Sequence, residues 1–514
     1  MERREFLLSA SMGLTASLSR ATLGAALGLT ASGSNSVPVS IDLGKKTGAL
    51  PHFWENCAGS DRTVVGLREQ WRSDLARAHR STGIKSVRCH GLFDDEMGIA
   101  ARGAGKYNFM YLDQVYDFML DNGVRPFVEL SFMPEALASS NNTIFSYRGN
   151  ASPPVRWQDW FDLVNAFTTH CVRRYGIAEV SRWQFEVWNE PNIAFWAGTQ
   201  EQYFELYRQS VLAVKAVDKR LRVGGPSTAQ LDWVPDLINF CATHSVPIDF
   251  ITSHVYPGDP QQRIFGRDNA YRFEEVIPRG IDVVNQQIQS SAMPDLPLLI
   301  TEWSSQNPAF IAQTIKECIG KVDTLSYWTF SNVFEEGGVP SGPFNEGFGM
   351  LGPWSIARPS LHAFTFLHKL GDTRLDAGDG PVLATGRADG SVAILAWNLI
   401  PAAARADVAN GNPVGANTGA LGGSGSARRL QLELKGLRGR KRVLVSQITE
   451  ELGSAGPAWK AMGSPEYPSR EQISQLRAAA ELGEPTLHVL SSGDSASVTV
   501  DLPGNGLALI ELES

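Results

Sequence analysis

From residue 51 to about residue 372 the chain alternates short, β-rich apolar runs with longer stretches whose apolar residues recur every three or four positions. The short runs have the length and composition of buried strands and the long stretches are amphipathic helices, so the alternation predicts consecutive parallel βα units. Strand runs fall at 86–90, 125–132, 184–191, 222–227, 249–256, 297–303 and 326–331, and a first strand just before or within 52–58 completes a ring of eight. Helices are predicted over 66–82, 111–122, 157–175, 202–217, 233–244, 280–291, 309–323 and 361–370. Gly83, Gly123 and Gly176 stand where three of these helices should stop, at positions suited to a left-handed cap. The expected fold is a (β/α)8 TIM barrel over 51–372.

Beyond residue 372 the period becomes strand-like. Runs at 392–399, 430–434, 442–448, 497–502 and 507–512, separated by segments rich in Gly, Ala, Asn and Ser, predict an accessory β-sandwich over 373–514. Residues 470–482 read as one helix inserted into it, 408–427 as a long polar loop, and 37–50 as an N-terminal segment that joins the sandwich.

Composition narrows the function more than the fold. The 514 residues carry a formal charge of −8, with 19% charged residues of mixed sign, so no basic stripe offers contacts to a nucleic acid. Thirteen tryptophans supply flat apolar faces that suit sugar rings as well as cores. Five dispersed cysteines, Cys57, Cys89, Cys171, Cys241 and Cys318, show no CxxC spacing, which argues against a disulfide framework and a zinc site. Residues 1–36 open with Arg3-Arg4 and an apolar stretch rich in Ala, Gly and Leu, the pattern of a Tat-type export signal, which predicts a periplasmic or secreted protein. That stretch is interrupted by Ser, Thr, Arg and Gly and is too weak for stable membrane insertion.

In a (β/α)8 barrel, chemistry takes place at the C-terminal ends of the strands. Two carboxylates follow apolar runs there: Glu190, in Phe185-Glu186-Val187-Trp188-Asn189-Glu190-Pro191 after strand four, and Glu302, in Leu299-Ile300-Thr301-Glu302-Trp303 after strand seven. Strands four and seven lie on opposite sides of a barrel, so these side chains can face each other across its mouth. Retaining cleavage of a glycosidic bond needs two carboxyl groups about 5–5.5 Å apart, one to protonate the leaving oxygen and one to attack the anomeric carbon. Glu186, four residues before Glu190, has the same parity but lies deeper, and reads as a structural carboxylate inside the barrel. No paired histidines on one strand and no His/Asp cluster at strand ends supply a metal site, so neither metal nor cofactor is expected.

Several segments, taken together, resemble glycoside hydrolase family 39, whose best-known bacterial members are β-xylosidases. They are Val87-Arg88-Cys89-His90-Gly91-Leu92, Phe132-Met133-Pro134-Glu135-Ala136-Leu137, Ser253-His254-Val255-Tyr256, Ile300-Thr301-Glu302 and Tyr327-Trp328-Thr329-Phe330-Ser331-Asn332-Val333-Phe334-Glu335-Glu336, with the segment around Glu190. The resemblance implies that Glu190 is the general acid/base and Glu302 the nucleophile, in agreement with the strand-end argument. It further implies that Asn189 bonds the sugar 2-hydroxyl and that Arg88 keeps the nucleophile ionised. His90 and His254 become sugar contacts, Tyr256 a neighbour of the nucleophile, and Phe132 and Trp328 walls of the subsite. Glu335 and Glu336, after strand eight, offer acceptors to sugar hydroxyls. Asn332, Trp303 and Asp61 depart from the residues common in that family and are expected near the sugar pocket.

The expected activity is that of a retaining exo-glycosidase, a β-xylosidase, acting on a small oligosaccharide or glycoside in a pocket closed by the loops after strands one and eight. An arabinoside or an α-L-iduronide keeps the same mechanism with another sugar, although the acidic Glu335-Glu336 pair opposes a uronide. A non-catalytic carbohydrate-binding barrel is the rival of another class, and it is opposed by the presence of both carboxylates. A homo-oligomeric state is left open by the sequence.

Overall fold

The computed structural model describes residues 36–344, 347–401, 425–490 and 496–513. The predicted export signal, and most of the loop predicted at 408–427, lie outside the described residues.

Eight strands, Ala58–Ser60, Ser86–Cys89, Arg125–Leu130, Gln184–Val187, Arg222–Thr228, Phe250–His254, Leu298–Trp303 and Thr324–Tyr327, close into a barrel in chain order, every neighbouring pair parallel. They are called here the first to eighth barrel strands. Around them lie the helices Glu69–Thr82, Met110–Asp121, Trp157–Tyr175, Gln200–Val217, Val234–His244, Val276–Gln289, Pro308–Cys318 and Pro359–His368. Each turns an apolar stripe inward: Trp157–Tyr175 buries Trp160, Leu163, Val164, Phe167 and Cys171, the spacing of one helical face. All five cysteines are buried and unpaired.

The first strand differs from expectation. Phe53–Glu55 forms a 3-10 turn, and the strand is the three-residue Ala58–Ser60, which meets the predicted window only at its end. Small residues are required there because the Trp328 ring fills the space beside the chain: a Cβ on Gly59 would lie 2.1 Å from it. The eighth strand stops at Tyr327, and residues 328–331 belong to the loop that follows. Gly83 is the left-handed cap expected, at φ 71° and ψ 16°, whereas Gly176 stops its helix with a positive φ of 81° but an extended ψ of 147°.

The second domain is one nine-stranded, mostly antiparallel sheet that encloses its own core. Strand Val37–Ala49 joins it as expected, parallel to Arg428–Lys435 and antiparallel to Thr373–Asp376. Strand Ala496–Leu502 shows the simple pattern of one wet face, burying Ala496, Val498, Val500 and Leu502. Strands Val392–Trp397 and Leu507–Leu512 are buried on both faces. Ile394, Ala396, Ala508 and Ile510 face the sandwich core, while Leu395, Trp397, Leu507 and Leu509 join the barrel core. The barrel helix Pro308–Cys318 receives this second face. The Trp397 indole N–H donates to Gln313 Oε1 at 2.8 Å, and Lys316 Nζ donates to the carbonyls of Gly378, Gly380 and Val382 at 3.2, 2.7 and 3.0 Å. The inserted helix is Arg470–Ala479, capped by Ser469; a short helix, Gly456–Ala461, and the strands Thr373–Asp376, Val382–Gly386 and Thr486–Leu490 were not expected.

Candidate active site

The residues singled out for chemistry sit at the C-terminal ends of barrel strands or in the loops that follow them. Arg88 and His90 end the second strand, Asn189 and Glu190 follow the fourth, His254 ends the sixth, Glu302 lies near the end of the seventh, and Trp328 follows the eighth. The barrel ladder places Glu302 directly opposite His254.

Arg88 organises the floor of the site. Its side chain is fully buried and reaches carboxylates from three other strands: Nη2 is 2.7 Å from Glu129, Nη1 donates to Glu302 Oε1 at 2.7 Å, and Nε donates to Glu186. Nη2 also donates to Asn189 Oδ1 at 3.0 Å, which fixes that amide with its NH2 as the remaining donor group. Surrounded by carboxylates, the guanidinium is held well above its ordinary pKa despite burial. Glu186 accepts a second bond from Thr301 Oγ1 at 2.8 Å, and so is the internal structural carboxylate expected. Glu129 was not anticipated. Burial alone would raise its pKa, but Arg88 and His90 outweigh it and hold Glu129 below the usual carboxylate range. A glutamate within the apolar run Arg125–Leu130, in register with Glu186, was the signal available.

Glu302 is pinned on both oxygens, by Arg88 on Oε1 and by the Tyr256 hydroxyl on Oε2 at 2.9 Å. Glu190 is held differently. Its backbone takes a positive φ of 46°, as does Trp188 at 71°, a conformation costing roughly 1–3 kcal/mol at a non-glycine residue. The Glu190 N–H donates to the Ser227 carbonyl at 2.8 Å, anchoring that turn. Among the described residues, no arginine pairs with the Glu190 carboxyl. Its partner is His254, whose Nδ1 is 2.9 Å from Oε1. Burial raises the Glu190 carboxyl to about 7, against the opposing pull of His90 and Arg88. Burial also lowers His254 to about 4, so its imidazole is neutral at ordinary pH.

One carboxylate oxygen of Glu190, one of Glu302 and a ring nitrogen of His254 all lie within 4.8 Å of one another. A cation could share these three donors, but Arg88 already places a fixed positive charge on the Glu302 oxygen. Carboxyl groups this close belong to the class that performs direct attack; inverting pairs stand about 6.5–9.5 Å apart to admit a water.

The walls are aromatic. Trp328 packs on the His90 ring at 4.6 Å between centroids and lies 5.9 Å from the Arg88 guanidinium carbon, while Phe132 packs edge-on against Trp188 at 5.4 Å. His90 bridges Glu129, at 2.8 Å, and Glu336, at 3.3 Å, and these carboxylates hold it charged, well above the ordinary histidine range despite burial. Phe145, half-buried and 6.1 Å from His90, was missed by sequence reasoning, because it comes from a short hairpin after the third strand that carries no periodic signal.

The acidic pair splits. Glu336 enters the site beside His90, and burial raises its carboxyl to about 7. Glu335 does not, contrary to expectation: its carboxylate accepts from Arg62 at 3.0 Å and from both terminal nitrogens of Arg68. The Glu335 N–H donates to Asp61, and Ser146 bonds the carbonyls of both glutamates. Glu335 therefore ties the loop after strand eight to the loops after strands one and three, closing the pocket. Asp61 belongs to this lacing, fully buried between Arg62 and the Glu335 amide. Trp303 is not near the sugar pocket. Opposite in parity to Glu302, it points outward and packs on Tyr327 and Phe364 at 5.8 and 6.3 Å. Asn332 is buried and accepts from the Gly349 N–H at 3.3 Å.

A family model described as glycosyl hydrolases family 39 matches residues 37–493. The chain belongs to this family. It is 36% identical over 473 residues to a β-xylosidase of Caldicellulosiruptor saccharolyticus, covering 86% of this chain and 91% of that one. It is 36% identical over 493 residues to a β-xylosidase of Geobacillus stearothermophilus, covering 90% and 92%. Among solved structures, a monomeric β-xylosidase from Caulobacter crescentus superposes with a TM-score of 0.83 at 32% identity, covering 93% of this chain and 99% of that one. The glycoside hydrolase expected from the strand-end carboxylates is thus the class to which the chain belongs. Among the described residues, no helix is long and apolar enough to cross a membrane.

Proposed function

We propose that the protein releases terminal β-xylosyl residues by double displacement, with Glu190 as general acid/base and Glu302 as nucleophile. The observation that carries this reading is a pair of carboxyl groups with an oxygen of each within 4.8 Å of the other, in opposite surroundings, one raised to about 7 by burial and the other bonded by Arg88 and Tyr256.

In the first step Glu190 gives its proton to the glycosidic oxygen as Glu302 attacks the anomeric carbon; the carbon–oxygen bond breaks, the alcohol leaves, and a glycosyl ester forms on Glu302. In the second, Glu190 takes a proton from water, whose oxygen attacks the anomeric carbon and displaces the Glu302 carboxylate. A neutral His254 serves both states. Through Nδ1 it accepts from protonated Glu190 in one tautomer and donates to ionised Glu190 in the other, with Nε2 facing Ser227 Oγ at 3.4 Å. Asn189, fixed by Arg88, directs its NH2 toward the sugar 2-hydroxyl, where a bond strengthens as the transition state gains oxocarbenium character. His90, Phe132, Trp328 and Glu336 contact the sugar, and Glu335 holds the rim.

A uronide is disfavoured because the pocket presents Glu336, while the nearby cations Arg62 and Arg68 are taken by Glu335. The test is a panel of nitrophenyl glycosides compared by kcat/KM. The β-xyloside should exceed the arabinoside, glucoside and iduronide by at least about tenfold; preference for the iduronide would overturn the assignment.

A further inference from the structure

At the end of the barrel opposite Glu190 and Glu302, a carboxylate and two imidazoles meet. Glu55 belongs to the 3-10 turn before the first barrel strand, His52 stands just ahead of that turn, and His368 ends the helix Pro359–His368. The Nδ1 atoms of His52 and His368 lie 2.7 and 2.8 Å from the same Glu55 oxygen. A ligating atom from each residue is within 4.8 Å of the other two. No step of glycoside cleavage uses them, and positions 52, 55 and 368 form no compact sequence motif, so the expectation of no metal had nothing to register there.

The surroundings fit a ligand set. The His52 ring is stacked on Trp54 at 4.7 Å, with 24° between planes, which fixes its direction. Its other nitrogen, Nε2, is buried, makes no hydrogen bond among the described residues, and has Asp372 Oδ1 at 3.8 Å, the side from which a carboxylate orients a ligating imidazole. Gly83 packs close on one side, where a Cβ would stand 2.4 Å from His368 Nδ1 and 3.0 Å from Glu55 Cδ, and Lys85 Nζ stands 3.5 Å from the other Glu55 oxygen. Glu55 is buried and turns one carboxylate oxygen to both imidazoles, so the three donors converge on one point. The His368 side chain is 42% exposed, which opens the cluster to solvent.

We propose that His52, Glu55 and His368 form a binding site for a zinc-type divalent cation, with water completing the coordination and Asp372 orienting His52. Two nitrogens and one carboxylate are donors such ions favour and hard ions such as Mg2+ do not. Bonds of about 2.0–2.2 Å spread ligating atoms to roughly 3 Å apart, so the trio needs only a small opening. The ion displaces the Nδ1 protons to solvent, and acidification reverses its binding. His52 follows the sandwich strand Val37–Ala49 and His368 precedes the sandwich strand Thr373–Asp376, so the ion clips together the two crossings between barrel and sandwich.

The test uses the full chain, stripped with a chelator and equilibrated with Zn2+ at pH 7.5, with bound metal counted by mass spectrometry. His368→Ala removes an exposed ligand remote from the catalytic mouth, and unchanged glycosidase activity verifies that it folds. The parent should bind one zinc more than His368→Ala and Glu55→Gln, and zinc should raise its Tm but not theirs. Glu190→Gln should lose none of this zinc, which separates the site from the catalytic trio. Equal zinc content in the parent and His368→Ala, no zinc in either, or preference for Mg2+ would overturn the proposal.

Discussion

The floor and the rim of the pocket are both built from arginine–carboxylate contacts, yet the two are physically unlike. On the floor, Arg88 is wholly buried and joins carboxylates from three other strand ends. On the rim, Arg62 and Arg68 hold Glu335 in loops, and the Arg68 side chain is 45% exposed. If Glu335 is lost, water can reach the exposed Arg68 and the buried Arg62 keeps Glu96 and Asp61, whereas on the floor an orphaned charge bears its full desolvation penalty. The floor should therefore govern chemistry and stability, and the rim binding alone.

The largest effect should come from Glu302→Gly, which removes the floor carboxylate nearest the reacting carbon. Turnover of an aryl xyloside should fall by roughly 10^4-fold or more, with added azide restoring turnover as an inverted azide product. Next is Arg88→Met, which leaves Glu186 buried without its cation and Glu129 with His90 alone. Stability measured by urea denaturation should drop by about 3–5 kcal/mol, and a loss under about 1 kcal/mol would erase the distinction between floor and rim.

Third is the pH profile. Glu190 must be protonated to act as acid and its carboxyl is raised to about 7, so it is competent below that pH and loses its proton above it. For a xyloside with a poor leaving group, kcat/KM should fall about tenfold per pH unit well above pH 7. Activated leaving groups, which need no protonation in the first step, should show a much weaker decline. The smallest effect belongs to the rim: Glu335→Gln should raise KM by roughly fivefold, the size of an interaction worth about 1 kcal/mol, with kcat nearly unchanged. A kcat loss of about tenfold or more for Glu335→Gln would show that the rim also shapes the chemistry.

The barrel was legible because each strand and helix carries its own period, and a residue's place at a strand end follows from the count alone. Glu190 and Glu302 could be found in that way. Parity alone could also have turned Trp303 outward, since Glu302 beside it points in. Three things were not legible. The first strand, Ala58–Ser60, has little β-propensity and exists because the Trp328 ring and its neighbours shape it. The roles of Glu335 and Glu336 depend on loop geometry, which sends adjacent carboxylates to different partners. Phe145 and the trio at Glu55 arise from chain segments that no local pattern relates.

The account rests on Glu302 as the atom donor to the anomeric carbon. Incubation with a 2-deoxy-2-fluoro-xyloside bearing a dinitrophenyl leaving group, followed by proteolysis and peptide mass spectrometry, reads this directly. One fluoroxylosyl ester per chain on Glu302, with loss of activity in step with labelling, is the predicted result. A label on another carboxylate, or inactivation with no covalent sugar on the chain, would contradict it.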